Sequence, residues 1–323
     1  MIRADIRSMA AYPVPNSDGL IKLDAMENPF PLPDALRLEW AKQLSEVAIN
    51  RYPDADMLAL RSKIAQRDGV AAEQVLLGNG SDEIIQMLLM ASDSGACVVP
   101  SPSFVMYDVV SHWLKRPVAT VTLNADFSLN AEAFLQVCHR EKAAIVFLAC
   151  PNNPTGNMWD VATVEKIASQ FSGLVVIDEA YFPFADRHHL ALIGKNVLIL
   201  RTFSKMGLAG LRLGYVLGDA KLIQHLNKVR MPYNINSLSQ TSALFLLEHA
   251  DVFEAQVTTI LRERKRVFAV LKEMSGVEVF DSQTNFLLLR VADADKVFQD
   301  VLHAGVLIKN MGKHHDLLRH CLR

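Results

Sequence analysis

The sequence predicts an α/β fold with a mostly parallel sheet, followed by a smaller α+β domain. From about residue 35, helical stretches alternate with short apolar runs in which polar and apolar positions do not strictly alternate. Such runs are typical of strands that are covered on both faces, as in parallel sheets flanked by helices. Beyond about residue 237 the pattern changes to a long helical stretch and two short strand-like runs, which indicates a second unit.

The first 35 residues do not follow this pattern. They contain prolines at positions 13, 15, 29, 31 and 33, which interrupt helices and strands. We expect an arm that lies along another surface and contributes to the smaller domain. The predicted organisation is an N-terminal arm over 1–35, a large domain over 36–238, and an interdomain helix with a small domain over 239–323.

Six apolar runs are the expected strands of the large domain, at 74–77, 96–99, 144–148, 174–177, 197–200 and 214–217. Helices are predicted between many of them, for example over 82–90 and 161–171. In the C-terminal part we expect a helix over 239–274, strands over 277–280 and 286–289, and an amphipathic helix over 294–304. Because ligands gather beyond the carboxyl ends of parallel strands, the residues that follow these runs are candidates for a functional site.

Composition excludes some classes of function. The 323 residues carry a net charge of -2, which gives no electrostatic case for binding nucleic acid or an anionic membrane. The basic run 262–266 is expected to be a solvated helix face. The four cysteines form no CxxC pair, so we expect reduced thiols in a cytoplasmic protein. No apolar stretch reaches about 18 residues, and the N-terminus lacks the apolar core of a signal peptide.

Lys205 is the most informative single residue. It follows the run 197–200 in a loop with Thr202 and Ser204, and Arg212 comes seven positions later. Desolvation lowers the pKa of a lysine, and the neutral amine can then form an imine. Hydroxyls and a guanidinium are suitable phosphate ligands. Pyridoxal 5′-phosphate requires this combination of a reactive lysine and phosphate ligands. The alternative interpretation is that Lys205 is a surface lysine in a strand-to-helix turn.

Other candidate residues follow the predicted strands. The turn at 78–83 opens a helix, and its amides with Ser81 could bind a phosphate. Asn153 lies in the proline-fixed turn 151–156 and could donate its amide N–H to a ligand oxygen. Asp178 ends the run 174–177 and could pair with a protonated pyridine nitrogen. A magnesium-binding aspartate of a nucleotide hydrolase is the rival interpretation, but the chain has no GxxxxGK[ST] loop.

Two tyrosines are open to more than one interpretation. Tyr107, after the string PSPSF, could stack on a planar ring or could belong to the core. Tyr52 lies in an aromatic-proline loop at 51–54, for which a surface turn is the first expectation.

Taken together, these segments resemble the fold-type I pyridoxal-phosphate aminotransferases of the aspartate aminotransferase superfamily, and within it the histidinol-phosphate aminotransferases. The resemblance spans nearly the whole chain and rests on strings that occur in the family's order. They are LDAMENP (23–29), NRYPD (50–54), GNGSDE (78–83), PNNPTG (151–156), DEAY (178–181), TFSK (202–205) and GLRLGY (210–215). The fold that this resemblance implies has a mostly parallel seven-stranded sheet in the large domain.

The resemblance also implies a role for each candidate residue. Lys205 would carry the cofactor as an imine and move the proton of the substrate α-carbon, and Asp178 would pair with the pyridine nitrogen. Asn153 and Tyr181 would bind the ring 3-oxygen, and Tyr107 would stack on the ring. The remaining cofactor residues would hold the phosphate: Ser81, Asp82, Thr202, Ser204, Arg212 and, from the partner subunit of a homodimer, Tyr52.

For the substrates, the resemblance implies binding by Tyr12, Asn153 and Arg323. The implied reaction transfers the amino group of L-histidinol phosphate to 2-oxoglutarate, giving imidazole-acetol phosphate and glutamate in histidine biosynthesis. The alternatives are an aromatic amino acid aminotransferase, a threonine-phosphate decarboxylase and an inactive remnant. A cofactor-binding regulator is less expected, because it would carry a winged helix-turn-helix ahead of this domain.

The sequence departs from the family pattern in three places. Met26 stands where the family usually has Asn, and the spacing from Lys205 to Arg212 is one residue shorter than the commonest pattern. The chain ends at Arg323, where family members usually continue with a strand and a helix, so we expect a truncated chain or a reorganised small domain. The nearby stretch 313–315 contains two histidines, for which we expect a solvated loop rather than a metal site.

Overall fold

The computed structural model describes residues 1–11 and 13–323, and it contains helices and strands in the alternating order that the sequence predicts. Its helices are α1 (Ala4–Ser8), α2 (Asp34–Ser45), α3 (Leu58–Asp68), α4 (Ser81–Ala91), α5 (Met106–Trp113), α6 (Ala131–Arg140), α7 (Val161–Gln170), α8 (Ala220–Leu226), α9 (Ser237–Glu248), α10 (Ala250–Lys272) and α11 (Ala294–His303). Its strands are β1 (Ile21–Lys22), β2 (Val75–Gly78), β3 (Ala96–Ser101), β4 (Val118–Thr122), β5 (Ala143–Ala149), β6 (Leu174–Asp178), β7 (Val197–Thr202), β8 (Gly214–Leu217), β9 (Val277–Val279), β10 (Leu289–Val291), β11 (Val306–Leu307) and β12 (Cys321–Leu322).

A seven-stranded sheet in the order β2-β8-β7-β6-β5-β3-β4 organises the large domain. Strands β7, β6, β5, β3 and β4 run parallel to one another, and β8 is antiparallel to both β7 and β2. All six predicted runs are strands of this sheet. The fold class is therefore confirmed, and the seventh strand is β4, which the apolar pattern did not reveal.

The sheet is buried on both faces because its central strands send alternate side chains into two separate cores. In β6, Val175 and Ile177 belong to one hydrophobic cluster, and Val176 belongs to the other. In β7, Ile199 faces the first cluster, and Leu198 faces the second. Helices cover both faces, so the strands need apolar residues at every position and show no alternating pattern.

Two small sheets lie outside the large one. Strands β12, β10 and β9 form an antiparallel sheet in that order, and β1 of the arm pairs in parallel with β11. Since the arm joins the C-terminal part of the chain through this pairing, we propose that 1–35 belong structurally with 239–323. The division into domains at 36 and 239 stays a prediction.

Three predicted elements differ from the structure. The helix expected over 239–274 is two helices, α9 and α10, because the backbone leaves the helical region at His249 (φ -112°, ψ 37°). The strand expected over 286–289 begins three residues later, since the hydroxyls of Ser282 and Thr284 both donate to Phe286 O at 2.6 and 3.1 Å and hold a turn there. The arm, expected to be irregular, contains α1 and β1.

None of the helices in the described part of the chain is long and apolar enough to cross a membrane.

Candidate active site

A cavity of about 240 Å³ lies at the carboxyl edge of the large sheet, beside the arm. Segments that follow β3, β5, β6 and β7 line it, together with the start of α4 and residues 25–27 of the arm. Ten of the predicted site residues line this cavity: Ser81, Asp82, Tyr107, Asn153, Asp178, Tyr181, Thr202, Ser204, Lys205 and Arg212. A larger cavity of about 390 Å³ lies between α3, β2 and α8, and none of the predicted residues lines it. Side-chain chemistry, not size, therefore identifies the candidate site.

Lys205 lies on a helical turn directly after β7, with its ammonium group inside the cavity. Its Nζ donates to Ala25 O at 2.9 Å and lies 5.9 Å from the centre of the Tyr181 ring. Burial, and next the positive charge of Arg323, lowers the pKa of Lys205 to about 8. A neutral amine is therefore accessible at Lys205 near neutral pH. The arm approaches this turn so closely that a Cβ on Gly207 (φ +123°) would lie 3.0 Å from Asn28 Nδ2.

Asp178 is a buried carboxylate at the end of β6. Its Oδ1 accepts from the backbone N–H of Ala180 at 2.9 Å, and its Oδ2 accepts from the hydroxyl of Tyr107 at 2.7 Å. Burial raises the pKa of Asp178 to about 6, although both hydrogen bonds oppose that shift. A carboxylate so placed has spare lone pairs for a cationic donor from the cavity.

The position of Tyr107 differs from the ring-stacking role that the resemblance implied. Its side chain is fully buried, and its ring stacks on Phe147 with the centroids 4.6 Å apart and the planes 11° apart. Phe104 lies one turn earlier, is only half-buried and lines the same cavity. Phe104 is therefore more exposed to the cavity than Tyr107. It was missed because the sequence does not tell which of the two side chains near the start of α5 is buried.

Groups suited to a phosphate converge at one end of the cavity. Gly80 (φ +87°) leads into α4, whose first N–H groups have no partner within the helix. The hydroxyl of Thr202 donates to Ser204 Oγ at 3.0 Å, and Arg212 Nη2 lies 3.2 Å from Asp82 Oδ2. The arrangement is the helix N-terminus, hydroxyl and guanidinium set that anions bind in proteins.

This end of the cavity is tightly built, because β8 begins against the turn that precedes α4. A Cβ on Gly214 would lie 2.5 Å from the backbone nitrogen of Ser81. Glycine is therefore required at the start of β8 for the turn to take this position.

Arg323 directly follows β12 and contacts Asn153, which lines the cavity. Its Nη1 donates to Asn153 Oδ1 at 2.6 Å and its Nη2 donates to Asp24 O at 2.7 Å, while its guanidinium lies 5.3 Å from the centre of the Phe286 ring. The structure therefore brings the predicted substrate arginine next to Asn153. Met26, where the resemblance expects Asn, has a left-handed backbone (φ +53°) that Asn adopts more readily than Met.

Tyr52 is not brought into this cavity. It is 81% exposed, and its ring stacks on Tyr233 with the centroids 4.5 Å apart, on the surface of the chain. Tyr12 lies outside the described residues. For the histidine-containing stretch, no group of three or more His, Cys, Asp or Glu in 1–11 and 13–323 could hold a metal ion.

A buried ionic cluster beneath the site was also missed. Glu179 Oε2 accepts from Arg201 Nε at 2.9 Å and from Arg201 Nη2 at 2.7 Å, and Arg201 Nη1 lies 3.2 Å from Asp68 Oδ2. Glu179 follows Asp178, and Arg201 precedes Thr202, so this ion pair joins the ends of β6 and β7. The signal was present in the sequence, because a charged residue directly after the buried run 197–200 needs a partner.

Comparisons with known proteins agree with this architecture. The family model of aminotransferases of class I and II matches residues 18–321. Histidinol-phosphate aminotransferase 2 of Cupriavidus pinatubonensis is 50% identical over 333 residues, covering 100% of this chain and 91% of that protein. Histidinol-phosphate aminotransferase 1 of Burkholderia lata is 47% identical over 329 residues, covering 100% of this chain and 92% of that protein.

Among solved structures, the fold is similar to that of histidinol-phosphate aminotransferase from Sinorhizobium meliloti in complex with pyridoxal-5′-phosphate. The TM-score is 0.88 at 24% identity, over 100% of this chain and 92% of that chain. L-threonine-O-3-phosphate decarboxylase from Porphyromonas gingivalis also shares the fold, with a TM-score of 0.78 at 23% identity over 94% and 93% of the two chains. The fold alone does not separate these activities. The family model and the sequence relatives show that the chain belongs to the class I and II aminotransferases.

Proposed function

We propose that this chain is a pyridoxal-phosphate-dependent transaminase that converts L-histidinol phosphate and 2-oxoglutarate into imidazole-acetol phosphate and glutamate. The observation that carries the proposal is the pairing, in one cavity, of Lys205 with its lowered pKa and the buried carboxylate of Asp178. The substrate follows from the relatives at 43–50% identity, which are named for histidinol phosphate.

The residues present fit this cofactor. Asp178 is a buried carboxylate whose neighbours Asp82 and Glu179 are negative, so a protonated pyridine nitrogen would complete its charge balance. The start of α4, the two hydroxyls of β7 and its loop, and Arg212 offer a dianionic phosphate several donors. Bound pyridoxal phosphate supplies an aldehyde for a lysine and a ring that accepts electrons from the substrate α-carbon.

Each residue then has a proposed task. Lys205 would hold the cofactor covalently through Nζ, and the same atom would take up and return the α-proton of the substrate. Asp178 keeps the pyridine nitrogen protonated. Asn153 and Tyr181 orient the ring oxygen, and Phe104 replaces Tyr107 as the residue that covers the ring face. The phosphate is held by Ser81 and Asp82 through backbone N–H groups, and by Thr202, Ser204 and Arg212.

Arg323 is the proposed receptor for the anionic end of both substrates. A guanidinium can bind the phosphate of histidinol phosphate or a carboxylate of 2-oxoglutarate through two parallel hydrogen bonds. In the structure the same two nitrogens donate to Asn153 Oδ1 and Asp24 O, so the guanidinium is held next to Asn153, which lines the cavity. Tyr12 of the arm is proposed to contact the substrate as well.

We propose that the working unit is a cytoplasmic homodimer in which Tyr52 reaches the cofactor phosphate of the partner subunit. The support is an exposed apolar surface around Tyr52, which stacks on Tyr233. Tyr52 is 81% exposed and Tyr233 is 44% exposed, and their neighbours along the chain, Ile49 and Met231, are exposed as well. Exposed apolar patches mark protein interfaces. The four cysteines are free, as expected in a reducing compartment.

The half-reaction with L-histidinol phosphate tests the proposed function. The cofactor-loaded protein should lose the visible absorbance of its lysine-bound cofactor when this amine is added, and faster than with aspartate or an aromatic amino acid. Arg323→Gln should reduce the second-order rate constant by about 10–100-fold, the value of a hydrogen bond to a charged group. Arg319→Gln, a change at an exposed arginine four residues away, is the matched control and should have no effect.

Two outcomes would reject this assignment. Faster conversion with aspartate or an aromatic amino acid would point to another aminotransferase. Release of CO₂ from threonine phosphate without loss of absorbance would point to the decarboxylase.

A further inference from the structure

The side chain of Tyr107 is held in one orientation by other aromatic rings. It lies on α5 and is fully buried. One face is stacked on Phe147, and Phe104 approaches edge-on with its centroid 5.4 Å away and its plane at 84°. Rings packed in this way have few rotamers open to them, so the direction of the phenol hydroxyl is fixed. That direction is toward Asp178, at 2.7 Å from Oδ2.

The surroundings of Asp178 make this hydrogen bond important. The acidic groups that influence it, Asp82 at the start of α4 and Glu179 next to it on the chain, both raise its pKa and so oppose ionisation. Tyr107 of α5 and the N–H of Ala180 favour the ionised form. The cations that line the same cavity are Lys205, after β7, and Arg212, before β8.

Tyr107 itself stays a donor over the working pH range. Burial, and next the nearby Asp178, raises the pKa of the Tyr107 hydroxyl well above its usual value. The proton therefore remains on the phenol, and the carboxylate is the acceptor. The hydrogen bond therefore runs from the Tyr107 hydroxyl to Asp178 Oδ2, and the second lone pair of Oδ2 can accept from a donor in the cavity.

We propose that Tyr107 is a positioning residue, whose hydroxyl keeps the Asp178 carboxylate ionised and turned toward the cavity to receive the pyridine nitrogen of the cofactor. The inference rests on the cofactor site proposed above, and it assigns Tyr107 a role other than stacking on the ring. If the proposal is right, removing this hydroxyl while keeping the ring should weaken cofactor binding most at acidic pH, where Asp178 is close to protonation.

The test measures binding without catalysis. Pyridoxamine 5′-phosphate has no aldehyde and binds without reacting with Lys205, so its dissociation constant can be measured on the cofactor-free full chain by calorimetry between pH 5.5 and 9. Loss of a hydrogen bond to a charged group should raise the pKa of Asp178 by about one unit. In Tyr107→Phe, binding should be about tenfold weaker than wild type below pH 6 and nearly unchanged at pH 9.

Two comparisons isolate the mechanism. Tyr107→Phe in an Asp178→Asn background should cause no further loss, because the acceptor of the bond is already altered. Tyr215→Phe is the matched control, since Tyr215 is also fully buried and its hydroxyl is bound to Arg67 instead. It should leave the pH dependence of binding unchanged.

Other results would overturn the proposal. If Tyr107→Phe raises the dissociation constant of pyridoxamine 5′-phosphate by the same factor at every pH, Tyr107 has a packing role only. The same conclusion follows if Tyr107→Phe still weakens binding in the Asp178→Asn background. If Tyr107→Phe does not fold, Tyr107→3-fluorotyrosine keeps the ring and makes the hydroxyl a better hydrogen-bond donor. The pH at which binding of pyridoxamine 5′-phosphate weakens should then move to a lower value. If that pH does not change, the proposed role of the Tyr107 hydroxyl is also rejected. If wild type fails to bind the probe at all, the cofactor site itself is wrong.

Discussion

Replacing Arg201 by methionine should destabilise the protein by about 3–5 kcal/mol, the cost of breaking a buried ion pair by removing one partner. Arg201 is 2% exposed and gives two hydrogen bonds to Glu179 and one ionic contact to Asp68. Its guanidinium also lies 4.2 Å from the centre of the Phe182 ring. Methionine keeps the apolar part of the side chain but leaves both carboxylates short of positive charge in the interior.

The pH dependence of this effect has a definite sign. Although burial favours the neutral acid, the hydrogen bond to His189 and the charge of Arg201 together lower the pKa of Glu179. Its contribution to stability is therefore present above the ordinary glutamate pKa of about 4.3 and is lost as the pH falls through the lowered folded value. In Arg201→Met the folded pKa rises, so Glu179 takes up a proton more readily. The difference in stability should be larger at pH 7 than at pH 4.

The assay is urea unfolding of the cofactor-free protein at both pH values. Arg290→Met is the matched control, because Arg290 also pairs with a glutamate, Glu278, and lies 5.0 Å from the centre of a phenylalanine ring, but it is partly exposed. An exposed pair contributes about 0–1 kcal/mol. The double variant Arg201→Met with Glu179→Gln should recover part of the loss. Equal destabilisation by Arg201→Met and Arg290→Met would refute the reasoning.

Two further predictions concern the lysine and the subunit interface. When pyridoxal phosphate is added to the cofactor-free protein, the rate of absorbance change should rise with pH and have its midpoint near pH 8, because only the neutral amine of Lys205 reacts. Arg323→Gln removes a positive charge that lowers the pKa of Lys205, so it should move this midpoint to higher pH. A wild-type midpoint near pH 10.5 would contradict the buried position of Lys205. Tyr52→Asp places a charge in the exposed apolar surface and should shift the mass measured by light scattering from dimer toward monomer; a wild-type protein that is monomeric at micromolar concentration would contradict the proposed assembly.

The sequence predicts the centre of the fold well and its periphery less well, for a physical reason. Strands such as β6 and β7 are buried on both faces and therefore carry uninterrupted apolar runs. β4 lies at the edge of the same sheet and is half exposed, so its residues (VATVT) do not form such a run. The break between α9 and α10 lies at His249, whose backbone is not helical, and the apolar spacing of the joined stretch does not mark it.

The candidate site was predictable where its residues sit at strand ends, and less so elsewhere. Lys205, Asp178 and Asn153 follow three parallel strands, and parallel strands bring their carboxyl ends to a common edge. Tyr107 and Phe104 lie near the start of one helix, and only the packing of α5 against Phe147 decides which of them is buried. The identification of Tyr107 as a cofactor-stacking residue followed the family pattern, whereas its contact in the structure is with Asp178.

Three contacts between residues 24–26 of the arm and the site region use main-chain oxygens of the arm, so the departure at Met26 leaves them in place. Lys205 Nζ donates to Ala25 O, Arg323 Nη2 donates to Asp24 O, and Asn285 Nδ2 donates to Met26 O at 2.9 Å. All three acceptors are carbonyl oxygens, which every residue type supplies. Met adopts the left-handed backbone of this position less readily than the Asn of the family pattern, but the exchange removes none of these hydrogen bonds. A comparison of sequences shows which side chain has changed. It does not show these contacts, because their acceptors are main-chain oxygens.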